Sequence, residues 1–314
     1  MRRVGIAAKD SRPTVRVRRA RPSDRPALEV MGHPPGAVFA IAPSPAGRLE
    51  WRTRGMRIVG LVAVERDGQL VGSIHFVRHR REPKTWLFGH WRVSVRYRRS
   101  GIGRYLLREG LRVLPEVSRL YSFVDWGNEG SVAAHRHLGF EVAPELWGSS
   151  LLGPLSTLGS PAPTIVMAAV PRSGRAILAQ PFRRAMGPLW CRLFPDQARR
   201  GEPGPAIAPW DLRGAIGHLW RRTTCRYRTA TSGDRIEAIE LAVGMERTLF
   251  LDPESCDPGL LARLAQALLA SGCDRSTEIE IRGVARSLIE RGGPIRAQIL
   301  MGLTHVGALR QAQG

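Results

Sequence analysis

Lysine is nearly missing from this chain. Only Lys9 and Lys84 are lysine among its 48 basic residues, which leaves 46 arginines. Acids are scarce as well, 27 in all, so the formal net charge is +21. A field of that sign favours anionic ligands such as phosphates, nucleic acid or acidic lipid. The arginines are scattered instead of forming one block, so a solvated basic surface is the simpler account and nucleic acid ranks last among partners. So wide a bias fits codon usage across a genome as readily as selection for guanidinium chemistry.

Cysteine is sparse too. Cys191, Cys225, Cys256 and Cys273 all fall in the second half, with no CxxC spacing, which argues against a zinc site or a disulfide framework. His75 and His79 lie four apart on an expected strand with no third ligand beside them, so no metal site is expected. No eighteen consecutive residues are apolar, and the charged N-terminus lacks an apolar core segment. The expectation is a soluble, cytoplasmic protein without a transmembrane segment. At 314 residues the chain can bury a full core and is expected to hold two domains.

The richest stretch runs from Trp86 to Gly110. Alternation over Trp86–Val95 gives a strand, Arg98-Arg99-Ser100-Gly101-Ile102-Gly103 a turn, and Arg104 onward a helix over Ile102–Leu114. Such a turn aims several backbone N–H groups and the positive end of a helix at one spot, which suits phosphate. Before it, Val15–Arg18 reads as a strand and Arg25–Met31 as a short helix, and 33–54 as a loop with at most one helical turn. Ile58–Val64 and Leu70–Val77 form a hairpin around Arg66-Asp67-Gly68-Gln69. After it come a strand at Arg119–Val124, a helix at Ser131–Leu138 closed by Gly139, and strands at Phe140–Ser150 and Thr164–Val170, which are expected to form a hairpin over 144–165.

Three segments together carry a resemblance. The Leu61–Val71 hairpin, Arg98-x-x-Gly101-x-Gly103 at a strand-to-helix turn, and Asn128-x-x-Ser131-x-x-x-His135-x-x-x-Gly139-Phe140 resemble, in that order, the GNAT superfamily of acyl-CoA-dependent N-acyltransferases. The likeness covers residues 14–171, about half of the chain. It implies an α/β (α+β) fold with a mixed, mostly antiparallel sheet flanked by helices. It also implies acetyl-CoA as acyl donor and an amine acceptor, small molecule or peptide, attacking the thioester directly in a ternary complex.

By that resemblance the pyrophosphate falls to Arg98, Arg99, Ser100, Gly101, Ile102, Gly103 and Arg104. The pantetheine arm falls to the splayed backbone of Trp91–Val95, Val93 and Val95 included, with Asn128, Ser131 and His135 beside it. Asn128 is equally an N-cap. His135 stands where the family often has a tyrosine that protonates the leaving thiolate; a histidine can give that proton, bind the thiol, or merely pack. For the general base the candidates are His90, Asp125 and Glu141, or a water. The alternative is a non-catalytic CoA-sensing or partner-binding protein on the same fold.

Beyond residue 171 the pattern loosens. Residues 1–13 are expected as a disordered basic lead-in and 172–209 as a Pro/Arg-rich linker. Its Arg175–Phe194 segment is expected as a broken helix kinked at Pro181 and Pro188, packing between domains or touching a membrane or acidic partner. Residues 210–314 are expected as a second, smaller α/β domain. It has a helix at Trp210–Arg222, one or two strands over Arg235–Leu251, a helix at Leu260–Ala270, a strand at Glu278–Arg282, a helix at Val284–Arg291 and a strand at Ile295–Thr304. The order echoes 87–150 and suggests a divergent duplication. Leu251-Asp252-Pro253-Glu254 replaces the glycine turn there, and its carboxylates would repel pyrophosphate, so this half is expected to shape the acceptor site or a homodimer interface.

Overall fold

The computed structural model describes residues 15–53, 55–79, 82–114, 116–158, 165–171, 176–200, 226–232, 235–243, 246–254 and 256–306. The expected lead-in at 1–13 and the expected helix Trp210–Arg222 lie outside them. The described residues fall into two compact units. The first runs through Arg78 and takes in Phe88–Val117; the second comprises His79–Leu87 and Ser118–Ala308.

The first unit is built on β1 (Arg16–Arg19), β2 (Met56–Val64), β3 (Leu70–His79) and the later part of β4 (Thr85–Val93), in the order β1-β2-β3-β4. β1 lies antiparallel to β2, with Arg19 opposite Leu61. The β2–β3 turn closes as its sequence demands: Gly68 takes a left-handed φ of 91°, and Asp67 accepts the Gln69 N–H at 2.9 Å. Between β1 and β2 lie helices α1 (Arg25–Val30), α2 (Pro35–Ile41) and α3 (Pro45–Thr53). The last two correct the loop expected over 33–54. Its prolines open helices instead of breaking them, because a proline in the first turn has no N–H to leave unpaired and a φ already set for the helix. Leu28, Val38, Ile41 and Ala42 bury their side chains with Val62, Val64 and Leu70 of the sheet.

β4 ends at Val93, two residues short of its expected end, and a 3-10 turn covers Val95–Tyr97. Helix α4 (Ile102–Val113) follows. It packs so closely on β3 that a Cβ on Gly110 would lie 2.2 Å from the Phe76 ring.

The second unit holds β5 (Arg119–Asp125), β6 (Glu141–Leu151), β7 (Val166–Ala169), β8 (Arg226–Ser232), β9 (Arg235–Val243), β10 (Glu246–Leu251), β11 (Glu278–Val284) and β12 (Arg296–Leu303). Their order is β5-β12-β6-β11-β10-β9-β8-β7, and the first residues of β4, Thr85–Leu87, run parallel to Arg119–Tyr121 of β5. β10 and β11 are also parallel; the pairs of β12 with β5 and β6, and of β11 with β6, are antiparallel. The helices are α5 (Glu129–His137), α6 (Leu152–Leu155), α7 (Ala179–Leu193), α8 (Pro195–Arg200), α9 (Pro258–Ala270) and α10 (Arg286–Glu290). No described helix is long and apolar enough to cross a membrane.

Two expectations are corrected in this unit. The strands expected at 140–150 and 164–170 appear as β6 and β7 but do not form a hairpin: β7 pairs with β8, and β6 pairs with β12 and β11. The helix expected over 175–194 is α7, which bends at Gly187 (φ 76°) and Pro188, whereas Pro181 sits in its first turn and costs it nothing. Phe182, Trp190 and Phe194 are 3%, 2% and 1% exposed, so no aromatic stripe is left for a membrane. They join Tyr121, Trp147, Ile239, Phe250 and Leu300 in the core of the unit.

The strand succession repeats. β4 runs parallel to β5, which is followed by α5, β6 and a partner strand β12 inserted between β5 and β6. β10 runs parallel to β11, which is followed by α10 and β12, with β6 inserted between β11 and β12. Each half thus receives a strand from the other.

Candidate active site

In the first unit the sequence-derived donor site is a strand, a turn and a helix start. Tyr97 donates its hydroxyl to Glu65 at 2.6 Å, and Ser100 donates to the Tyr97 carbonyl at 2.6 Å, which fixes the turn from both sides. Gly101 then takes φ 85°, ψ −5° as the residue that caps α4, and Arg99 has φ 64°. A left-handed φ is open to glycine at little cost and to other residues at about 1 kcal/mol or more. The first bond of the helix is Tyr105 N–H to the Gly101 carbonyl at 3.0 Å. The N–H groups of Ile102, Gly103 and Arg104 therefore precede any acceptor within the helix, and Gly101 has no side chain to cap them.

Gly103 lies against Trp91, whose indole N–H donates to the Gly103 carbonyl at 3.0 Å. Arg98, Arg99, Ser100, Gly101 and Arg104 are exposed, and Ile102 is buried as the anchor of the helix. The result is a cationic, donor-rich turn on a rigid base. Val93 closes β4, but Val95 stands in the 3-10 turn and is 73% exposed, so it is not part of the strand backbone.

His90 is the residue whose surroundings the sequence hid. It lies within β4 with φ 47°, and the preceding glycine leaves room for a ring: a Cβ on Gly89 would meet His75 at 2.8 Å. His75 donates its Nδ1–H to the Gly89 carbonyl at 2.7 Å and stacks on His90 with 4.9 Å between ring centroids. His33, from the α1–α2 connection, meets His90 edge-on at 5.9 Å and holds Ser73 Oγ at 2.7 Å from its Nε2. Ser73 Oγ in turn lies 3.4 Å from the His90 carbonyl.

Burial lowers all three histidines. His75 is held at about 3, by burial and then by His90. His90 is held at about 4, by burial and then by the Arg92 charge, and His33 at about 4, by burial, Arg92 and His90. All three are neutral at neutral pH. Sequence reasoning named His90 but paired His75 with His79. The usable signal was Ser73 and His75 two apart on one strand, which places them on the same face.

In the second unit the candidates are dispersed. Asn128 is an N-cap, its side chain accepting the Ser131 N–H at 3.1 Å. Asp125, at the exposed end of β5, accepts from Gln298 at 3.0 Å. Glu141 opens β6, half exposed, and pairs with Arg192. Through β12, Glu141 aligns with Tyr121 and not with Asp125. Four residues of strand, about 13 Å at ~3.3 Å each, separate the two levels, so these carboxylates do not act as a pair.

His135 is 2% exposed, donates Nδ1–H to the Ser131 carbonyl of its own helix at 2.7 Å, and packs edge-on against Phe140. Burial lowers its pKa, the Ser131 carbonyl opposing, which keeps the ring neutral. Among the described residues no cluster of His, Cys, Asp and Glu is arranged to hold a metal.

With this geometry in view, the comparisons are specific. The acetyltransferase (GNAT) family matches residues 29–140. That match spans about a third of the chain. That stretch contains the Arg98–Arg104 turn, the three histidines and the Asn128–Phe140 segment. No curated protein matches the chain. Among solved structures, a GCN5-related N-acetyltransferase from Sphaerobacter thermophilus aligns over 93% of this chain and 96% of its own, at 14% identity and TM-score 0.47. A putative acetyltransferase from Pyrococcus horikoshii aligns over 92% and 89%, at 18% identity and TM-score 0.41. A GNAT family N-acetyltransferase from Escherichia coli, solved in complex with CoA, aligns over 43% and 73%, at 23% identity and TM-score 0.30.

Proposed function

We propose that this GNAT protein is an acyl-CoA-dependent N-acyltransferase that moves acetyl from acetyl-CoA to the primary amine of a small molecule or peptide. The observation that carries the reading is the left-handed, uncapped Gly101 at the head of α4, inside the segment that matches the family. The N–H groups of Ile102, Gly103 and Arg104 take the pyrophosphate oxygens, and Arg98 and Arg99 add charge from the exposed side. Backbone groups of β4 near Trp91–Val93 align the thioester arm. Val95, outside the strand, leaves that role to them.

In the reaction the neutral amine nitrogen attacks the thioester carbonyl carbon, the C–S bond breaks, and CoA leaves as thiolate. The amine's surplus proton goes to a base and the thiolate takes a proton from an acid or from water. His90 is the base this reading favours, directly or through a water, because it is neutral and held on a strained bend of β4. His135 is a packing residue: its ring is buried and its Nδ1–H is committed to Ser131. Protonation of the thiolate is left to solvent. The lack of a side-chain acid there also favours the second reading, a CoA-binding protein without turnover. We further propose that the second half is a divergent GNAT-like unit that has lost the donor site.

Calorimetry with acetyl-CoA tests the first step. Binding by the wild type and its loss in Gly101→Asp is the expected outcome; absence of binding by the intact protein refutes the proposal. Thiol release across a panel of amines separates the two readings, since turnover with any acceptor eliminates the purely binding one.

A further inference from the structure

A second cationic cleft lies in the first unit, away from the Arg98–Arg104 turn. It opens where the end of β1, the start of β2 and helix α3 meet, with a volume of about 360 Å³. Four guanidiniums line it: Arg19, Arg48, Arg52 and Arg57. No acidic residue does, and among the described residues none of the four has a carboxylate within salt-bridge distance. Arg48 is tethered by its Nε to the Pro43 carbonyl at 3.4 Å, which leaves its terminal nitrogens for other partners. The floor is apolar, made by Ile41, Pro43, Ile58 and Val59, of which Ile41 is 0% and Val59 6% exposed.

Position separates this cleft from the donor site. β3 begins beside the end of β4, since Ser94 N–H bonds to the Val71 carbonyl, and Tyr97 reaches Glu65 just beyond the end of β2. The turn therefore sits at the C-terminal end of β2, and the arginine cleft at its N-terminal end. The lining of the cleft reaches Gly60, so four residue steps of that strand, about 13 Å at ~3.3 Å per step, separate it from the other end.

A wholly basic rim without counter-charge raises the local concentration of anions, and guanidiniums bind carboxylate and phosphate through paired N–H groups. An apolar floor rewards a ligand with hydrocarbon behind its charge, at about 0.8 kcal/mol per buried methylene. The volume lies at the small end of ligand sites, far below what a whole acyl-CoA needs. We propose that this cleft binds a small organic anion, a carboxylate or phosphate carried on a short apolar body.

The test is calorimetry with octanoate, octyl phosphate, inorganic phosphate and octylammonium, each below its micelle-forming concentration. The proteins are the wild type and the double variant Arg52→Glu, Arg57→Glu, whose side chains are exposed and make no hydrogen bond or ion pair among the described residues, so folding should persist and is checked by thermal midpoint. Octanoate and octyl phosphate should bind one per chain, inorganic phosphate about tenfold or more weaker and octylammonium not at all. The variant should lose about tenfold or more for both anions while its acetyl-CoA binding stays unchanged. Equal binding of octylammonium, unchanged anion binding in the variant, or binding only to phosphatidylglycerol vesicles and not to the monomeric anions overturns the proposal. Loss of acetyl-CoA binding in the variant overturns the separation of the two sites.

Discussion

Lowering the pH from ~7 to ~5 should destabilise the first unit through its buried histidines. His75 is 0% exposed and His33 6%, and their pKa values are held at about 3 and about 4 against 6.5 for the free side chain. The sign follows from linkage. A group whose pKa is lowered in the fold binds more protons when unfolded, so stability falls as pH drops through the unfolded value of about 6.5 and goes on falling until the folded value is reached. At pH ~5 the unfolded His75 is almost fully charged while the folded one is not, a difference of about 2 kcal/mol, and His33 adds a similar amount. His90, half-buried, pushes the same way, and the Arg92 charge acts on both His33 and His90. Lowered His135 in the second unit adds to the loss, whereas Glu145, raised by burial, offsets part of it there. Urea denaturation followed at several pH values in this window should show a loss of about 4 kcal/mol or more in the wild type, and roughly a third to a half of the first-unit part should vanish in His33→Gln. His75→Gln provides a second variant. A wild-type stability that is flat from pH ~7 to ~5, or a slope in both variants unchanged from that of the wild type, refutes the reasoning.

Three further outcomes can be checked by the same denaturation assay. Gly110→Ala drives a methyl to within 2.2 Å of the buried Phe76 ring and should cost about 2 kcal/mol or more, with Phe76→Leu on the same chain recovering most of it. Glu240, 0% exposed, bridges Arg228 and Arg247 across three adjacent strands; Glu240→Gln should cost about 3 kcal/mol, because two guanidiniums lose their shared counter-charge. Asp257 caps α9 by accepting the Leu260 N–H at 2.6 Å, and Asp257→Ala should cost about 1 kcal/mol.

What the sequence disclosed was local. The hairpin at Asp67-Gly68 and the change of hydrophobic period across Arg98–Gly103 are set by neighbours within a few residues, and both stand where expected. So are the N-cap at Asn128, the C-cap glycine at 139 and the helix at Pro258–Ala270. Partnership was not local. Nothing within β6 says that its neighbours are β12 and β11, some 130 to 160 positions onward, so the supposed hairpin with 164–170 was the natural error. His33 was hidden for a related reason. Its segment is dense in proline, which marks helix starts and helix breaks alike, and only tertiary packing brings it to Ser73 and His90.

The repeated strand succession poses a sharper question: whether two acyl-CoA molecules bind or one. The two helix starts at corresponding places, α4 after β4 and α9 after β10, differ in chemistry. At α4, Gly101 leaves three N–H groups unclaimed, and the nearby charges are arginines. At α9, the Asp257 carboxylate already accepts the Leu260 N–H, and Pro258 removes a donor from the first turn. Just past the strand leading to it stands Asp252, which is 7% exposed and bound by Arg235 at 2.9 Å and Arg184 at 3.2 Å. Burial works against ionising Asp252, but those two guanidiniums and the Glu254 N–H hold its carboxyl below the usual range, so its charge is permanent near neutrality. An incoming pyrophosphate would have to displace one carboxylate and approach another. The prediction is one acetyl-CoA per chain by calorimetric stoichiometry, abolished as a whole by Gly101→Asp. Two equivalents in the wild type, or one surviving in that variant, would mean that α9 binds phosphate in spite of its aspartates and that the two halves are functionally equal.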